Sequence, residues 1–512
     1  MTYPTNFFKL SHTGSFPEII KTVNHCISQG DPVFRWQGPP QSFAASGDLF
    51  FSSATSAGTL ATTELADLPE SEIRHLRPLN PGRVALLWDK SFLWGYLAVN
   101  TLRDLGFHFE LLTAEAVRQG GLNGCQLLVV PGGWASLKSA KLGKHGCEAL
   151  RRFVRSGGAY LGLCGGAGLA LQVDEGLGLL PVARKPMAER LPNFSGSILV
   201  RPTGSHPLWW GLREAVSLQV WWPSQFELVD PDKVQVLGRY GLPGKDFCVA
   251  DLNVCDAEAS GLDWSSFEKN YQINLDPARL FDEPGILEGK YGKGRVFLSY
   301  PHLETPDDTD GNMALFNIWY DLLSTCALSL SPKLDGVNSA HVIEMDEENL
   351  ERVLEMGREA EKLMALGESS DLWSWRNSWL LQWKRGILGA EFGTIFVLLQ
   401  GLAKELAHTG GIASLSSATT PRHREEQFDK LLKLWKLFTD KGLMLLEEEA
   451  KDLTDRTAKS GAKLSTLVRT LRTELFDCTK CYGSKSYGGI YRQLLDQIDS
   501  LLLGTLLADL NY

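Results

Sequence analysis

A thiol stands in "YLGLCGGAG" at Cys164, with glycine at 162, 165, 166 and 168 and no bulky residue directly after it. Cysteine attacks as the thiolate, and a free thiol titrates at about 8.5. A helix N-terminus, an adjacent imidazole, or a turn that pushes the sulfur into solvent favours that form. The apolar run Ala159 to Leu163 reads as a strand, a helix opens near Gly165, and the small residues permit a tight elbow between them. Backbone amides at Gly165 and at Gly132 or Gly133, in "VVPGGWASL", are then candidate oxyanion donors. Of ten histidines, His302 directly follows the strand-like "RVFLSY" and has Glu304 two positions on. In an extended segment such positions share a side, so Glu304 is placed to orient an imidazole facing Cys164. The expected chemistry is acyl transfer with Cys164 as nucleophile, His302 as base and Glu304 as orienting acid. Trp134, next to the glycines, is the aromatic best placed to line the cleft. The plainer readings are a small buried cysteine in tight strand–helix packing and a glycine turn needed by the fold alone.

The elements around these residues alternate. "RVALLW" (83–88), "FHFELL" (107–112), "CQLLVV" (125–130), "AYLGL" (159–163) and the pair in "GILEGKYGKGRVFLSYPHLE" (285–304) read as strands. "GYLAVNTLRDLG", "GCEALRRFVRSGG" and "GNMALFNIWYDLL" have helical spacing. Such alternation implies an α/β, doubly wound parallel sheet whose working site lies beyond the carboxyl ends of the strands. Residues 1–80 resist assignment; segment 42–64 reads as loop with one short strand. Residues 172–285 are less regular and hold the pairs Trp209-Trp210 and Trp221-Trp222, which read as core. The expected organisation is an N-terminal segment 1–80, an α/β domain 81–328, a linker 329–340, and an all-α helical bundle 341–512 with apolar residues every three or four positions.

The bulk numbers fit that plan. At 512 residues the chain is too long for one core. A formal charge of −10 argues against a nucleic-acid binder held by a basic surface. No apolar stretch is long enough to span a membrane; "GTIFVLLQGLAKELA" is interrupted by Gln400, Lys404 and Glu405. The start has no signal-peptide pattern, and nine scattered cysteines have no framework spacing, so reduced thiols in a cytoplasmic protein are expected. Cys478 and Cys481 form a C-x-x-C without the second pair a structural zinc site requires, so neither metal nor cofactor is expected. The acidic run 447–452 reads as helix surface.

"VVPGGWASL", "YLGLCGGAG" and "GKGRVFLSYPHLE" occur in the order found in the class I glutamine-amidotransferase-like superfamily. The chain most resembles its biotin–protein-ligase N-terminal (BPL-N) domain family, over residues 82–328. The resemblance implies a flavodoxin-like fold, with Cys164, His302 and Glu304 in the roles given above and an oxyanion hole near Gly132 and Gly133. In place of G-x-C-x-G-x-Q the chain has Gly168 where the glutamine belongs, so amide or ester hydrolysis of a small molecule or peptide is expected rather than glutaminase action. It lacks the "GRGRxxR" and "KWPND" signatures of biotin ligation. The alternative is a catalytically silent ligand-binding scaffold that works through its C-terminal helices, by a protein partner or self-association through 341–512.

Overall fold

The computed structural model describes residues 6–10, 15–53, 56, 58, 60–66, 68–261, 263–325, 347–409, 421–458, 464–477 and 487–510. Two compact units divide the chain, Met1–Ser331 and Pro332–Tyr512.

In the first unit, "VALL" and "LLVV" are buried at every position, the pattern of strands covered on both faces. Five strands run parallel in the spatial order Glu110–Leu112, Val84–Leu87, Leu127–Val130, Ala159–Leu163 and Gly294–Ser299. Between them lie the helices Phe92–Asp104, Ala114–Arg118, Ala135–Ser156 (broken at Gly143, φ 64) and Gly165–Ala170. Beyond Gly294–Ser299 the sheet continues antiparallel through Pro284–Tyr291, Val234–Pro243 and Phe194–Pro202, which also pairs with Val216–Trp221. The stretch read as irregular thus contributes several strands to this sheet. Register shifts around Gly238 break the period-two alternation that would have revealed them.

Residues 1–80, which resisted assignment from sequence, hold regular structure. They build a five-stranded antiparallel sheet, in the order Thr62–Ala66, Asn6–Leu10, Leu49–Phe51, Val33–Trp36 and Leu76–Pro78. The helix Phe16–Gln29 opens on a Ser15/Glu18 capping box and stops at Gly30, φ 82. Arg35 is buried with its guanidinium 5.4 Å from the Trp210 ring and 4.9 Å from Phe316. Asn24 donates to the Leu105 carbonyl at 2.8 Å and accepts from the Tyr320 hydroxyl at 2.5 Å. Burial and side-chain bonding together tie this sheet into the first unit.

The second unit holds the helices Glu347–Ser369, Gly389–Thr409, Pro421–Ala458, Thr466–Phe476 and Gly489–Leu510. It is not all-α. The strands Trp373–Asn377 and Leu380–Trp383 form a hairpin, turned where Asn377 Oδ1 accepts the Trp379 amide at 3.0 Å. Glu449, in the acidic run read as surface, is buried against Arg472. The 329–340 linker and Cys478 and Cys481 lie outside the described residues. Among the described residues no helix is long and apolar enough to cross a membrane.

Candidate active site

Strand register assembles the site. Val130 pairs with Gly162, and Leu163 with Ser299. The residues leaving three neighbouring parallel strands at their carboxyl ends therefore meet at one edge: Pro131 to Gly133, Cys164, and Tyr300 to Glu304. This is where ligands bind in open α/β sheets.

Cys164 sits at the bend with φ 47 and ψ −102, a left-handed conformation that costs a non-glycine residue about 1–3 kcal/mol. Its amide donates to the Ser299 carbonyl at 2.7 Å, and its own carbonyl accepts from the Gly168 amide at 2.9 Å. The bend is too tight for side chains. A Cβ on Gly165 would fall 1.7 Å from the Gly133 carbonyl oxygen, and one on Gly166 1.8 Å from that of Val130. Gly133, at φ 100, is thereby brought against Gly165 beside the thiol. The helix after Cys164 has six residues, so the macrodipole expected to favour the thiolate is small.

That leaves the imidazole. His302 Nδ1 is 2.8 Å from Glu304 Oε1, and both residues are buried, 1% and 3% exposed. The His302 amide donates to the Gln219 carbonyl at 2.8 Å. The ring lies 4.8 Å from that of Trp94, and a Cβ on Gly132 would lie 2.9 Å from its Cε1. Burial pulls the imidazole pKa down, but Glu304, and then Cys164, reverse the sign and raise it to about 10. His302 is therefore an imidazolium at neutral pH. Its buried Nε2 lies close enough to Cys164 for the thiol to act on it, yet outside regular hydrogen-bond geometry. The sulfur's own bond, to the Trp221 carbonyl, is long at 3.9 Å. Farther along, burial first and then nearby Asp310 and Glu304 push Asp308 up to about 7, against the lowering effect of the Gly311 amide.

Several neighbours escaped the sequence reading. Trp221, buried as the core reading expects, also borders the site, where it donates from Nε1 to Thr305 Oγ1 at 3.2 Å, and Trp222 tilts against Trp94 at 6.4 Å. Trp94 lies after the first parallel strand, where the strand order reverses, and that position was its available signal. Trp134 is 49% exposed beside the glycine turn. Among the described residues no group of three or more His, Cys, Asp or Glu could hold a metal ion.

Residues 109–173 match the family described as biotin-protein ligase, N terminal; the match takes in Gly132, Gly133 and Cys164 and stops before His302. No curated protein matches the chain in sequence. Similar solved structures include a protein described as a GMP synthase component from Thermoplasma acidophilum, at 14% identity over 48% of this chain and 94% of that one, TM-score 0.32. A glutamine amidotransferase from Thermotoga maritima is 13% identical over 48% of this chain and 84% of that one, TM-score 0.28. A β-galactosidase from Bacillus circulans sp. alkalophilus is 13% identical over 47% of this chain and 31% of that one, TM-score 0.29.

Proposed function

We propose that the first unit is an amidotransferase-like cysteine hydrolase that cleaves an amide or ester of a small molecule or peptide. One observation carries the reading: a strained cysteine elbow beside a buried histidine whose far nitrogen is bonded to a carboxylate. The spatial order of the parallel strands, 2-1-3-4-5 in chain order, supports a flavodoxin-like sheet, and the match of residues 109–173 supports the superfamily.

The steps balance on this chain's own residues. The Cys164 thiolate forms a C–S bond to the substrate carbonyl carbon as the carbonyl π pair moves onto oxygen. The amides near Gly133 and Gly165 receive that oxyanion. It collapses, breaking the bond to the leaving amine or alcohol, which takes a proton from His302 Nε2. His302, now neutral, removes a proton from water as the water attacks the thioester. The acid leaves, and thiolate and imidazolium are restored. Glu304 holds the ring and stabilises its charge.

Alkylation by iodoacetamide, followed residue by residue by mass spectrometry, tests this. At neutral pH Cys164 should outpace the exposed Cys255 by roughly tenfold or more, and His302→Ala should erase the excess. The second reading, a silent scaffold, is favoured by the near-complete burial of His302. It predicts that Cys164 reacts no faster than Cys255 and is indifferent to His302→Ala; that result would overturn the hydrolase.

A further inference from the structure

A second group of side chains approaches the elbow and has no part in the steps above. The strand Val182–Arg184 belongs to a separate two-stranded sheet with Phe226–Leu228. It brings Arg184 up to the helix that follows the nucleophile. A Cβ on Gly168 would sit 3.4 Å from Ala135 Cβ and 4.0 Å from Arg184 Nη2. Since the Gly168 amide bonds to the Cys164 carbonyl, the guanidinium lies against the residue one helical turn on from Cys164. Arg190 stands close enough to Arg184 for the two charges to oppose each other. Its Nη1 donates to the Ser224 hydroxyl, its Nη2 makes a long contact with the Met187 sulfur at 3.7 Å, and its Nε is buried with no partner. Tyr300 is influenced by both arginines, by Cys164 and by the Ser224 side chain; it is 1% exposed, and the Ser224 contact falls outside regular hydrogen-bond geometry.

Neither arginine joins an ion pair among the described residues. Other arginines of the same unit do meet carboxylates, Arg83 with Glu110, Arg201 with Asp282, and Arg295 with Glu288 and Asp321, and the unpaired Arg35 is covered by two aromatic rings instead. Two like charges held together without a carboxylate are unfavourable unless an anion joins them. The guanidinium fork fits the two oxygens of a carboxylate or phosphate. Gly168 leaves that approach free of a side chain.

We propose that Arg184 and Arg190, with the Tyr300 hydroxyl, seat an oxyanion group of the substrate, a carboxylate or a phosphate, while its scissile carbonyl lies at Cys164. This rests on the hydrolase reading and names its substrate class: amides or esters that carry a negative charge.

The experiment measures iodoacetamide alkylation of Cys164, with Cys255 as internal control, in the presence of glutarate, inorganic phosphate or neutral glutaramide. Glutarate or phosphate should protect Cys164 saturably and leave Cys255 alone, and the more effective of the two identifies the anion. Glutaramide should not protect. Arg184→Gln and Arg190→Gln, each read as the ratio of rates with and without anion, should raise the half-protecting concentration by about tenfold. Arg184 is exposed, so its variant decides the matter should the Arg190 variant fail to fold. Equal protection by glutaramide, no protection by either anion, or full protection in Arg184→Gln would overturn the seat. The two readings fail separately: fast, His302-dependent alkylation without anion protection removes the seat alone. Anion protection of a Cys164 no faster than Cys255 removes the hydrolase alone.

Discussion

Among the described residues, Glu304 and Glu449 are each buried against a cation, and the two cations differ in what they can do. In the first unit Glu304 holds His302 at 2.8 Å; in the second, Glu449 holds Arg472 at 2.6 Å, with both side chains 1% exposed. Arg472 also donates to the Gly386 carbonyl at 2.6 Å. A guanidinium keeps its proton at any ordinary pH, so the helical pair is a structural clamp. An imidazole gives its proton up, and this one stands beside a thiol at the carboxyl ends of parallel strands. Burial of an ion pair therefore does not mark a site. A releasable proton at the right edge does.

The sharpest way to break the comparison is to treat both pairs as structural. Arg472→Met strands the Glu449 charge and should cost about 3–5 kcal/mol. Adding Glu449→Leu should recover most of it, as read by hydrogen exchange across 347–510. Cys164 alkylation should not change in either variant. A loss of Cys164 reactivity would mean that the helical pair is not confined to a structural role.

A smaller effect tests how the Cys164 elbow is held. Gly165→Ala drives a methyl into the Gly133 carbonyl, 1.7 Å away, and neither backbone can yield. A loss of about 3 kcal/mol is expected in denaturant unfolding of the first unit, at the upper end for overpacking. Gly168→Ala, three positions on in the same helix, meets Ala135 Cβ at 3.4 Å, an ordinary contact. It should change stability by less than about 1 kcal/mol. Similar losses from the two would show that the close approach at the elbow is not what makes Gly165 necessary, since helix propensity favours alanine at both positions.

The two pairs also differ in how far they could be read from sequence. His302 and Glu304 are two positions apart after a strand, so local geometry suffices, and Ala159 to Leu163 is the observed strand residue for residue. Glu449 and Arg472 are 23 positions apart on separate helices. Only packing brings them together, and the run "EEEAKD" looks like solvent-facing charge. The same limit hid Arg184 and Trp221. Both lie in the antiparallel region, where bulges and short strands erase the two-residue period, and their nearness to Cys164 depends on sheet pairing rather than spacing. The hairpin at Trp373–Trp383 was missed because its strands are too short to stand out among long helices.

The finest distinction is titration. The pKa of His302 is raised to about 10 in the folded chain, against about 6.5 unfolded. A group raised in this way contributes its full stability below the unfolded value and loses it as pH climbs through the folded one. The stability of the first unit, read from unfolding midpoints, should therefore fall between about pH 6.5 and 10, and His302→Gln should flatten that window. Asp308, raised to about 7 by burial, follows the same sign but at lower pH. Its share is lost between about 4 and 7, so Asp308→Asn should flatten only the lower window. Arg472→Met should alter neither slope, because its guanidinium does not titrate in this range. Equal slopes above pH 7 in wild type and His302→Gln would show that the imidazole carries no extra proton, and the distinction between the two buried pairs would lose its physical basis.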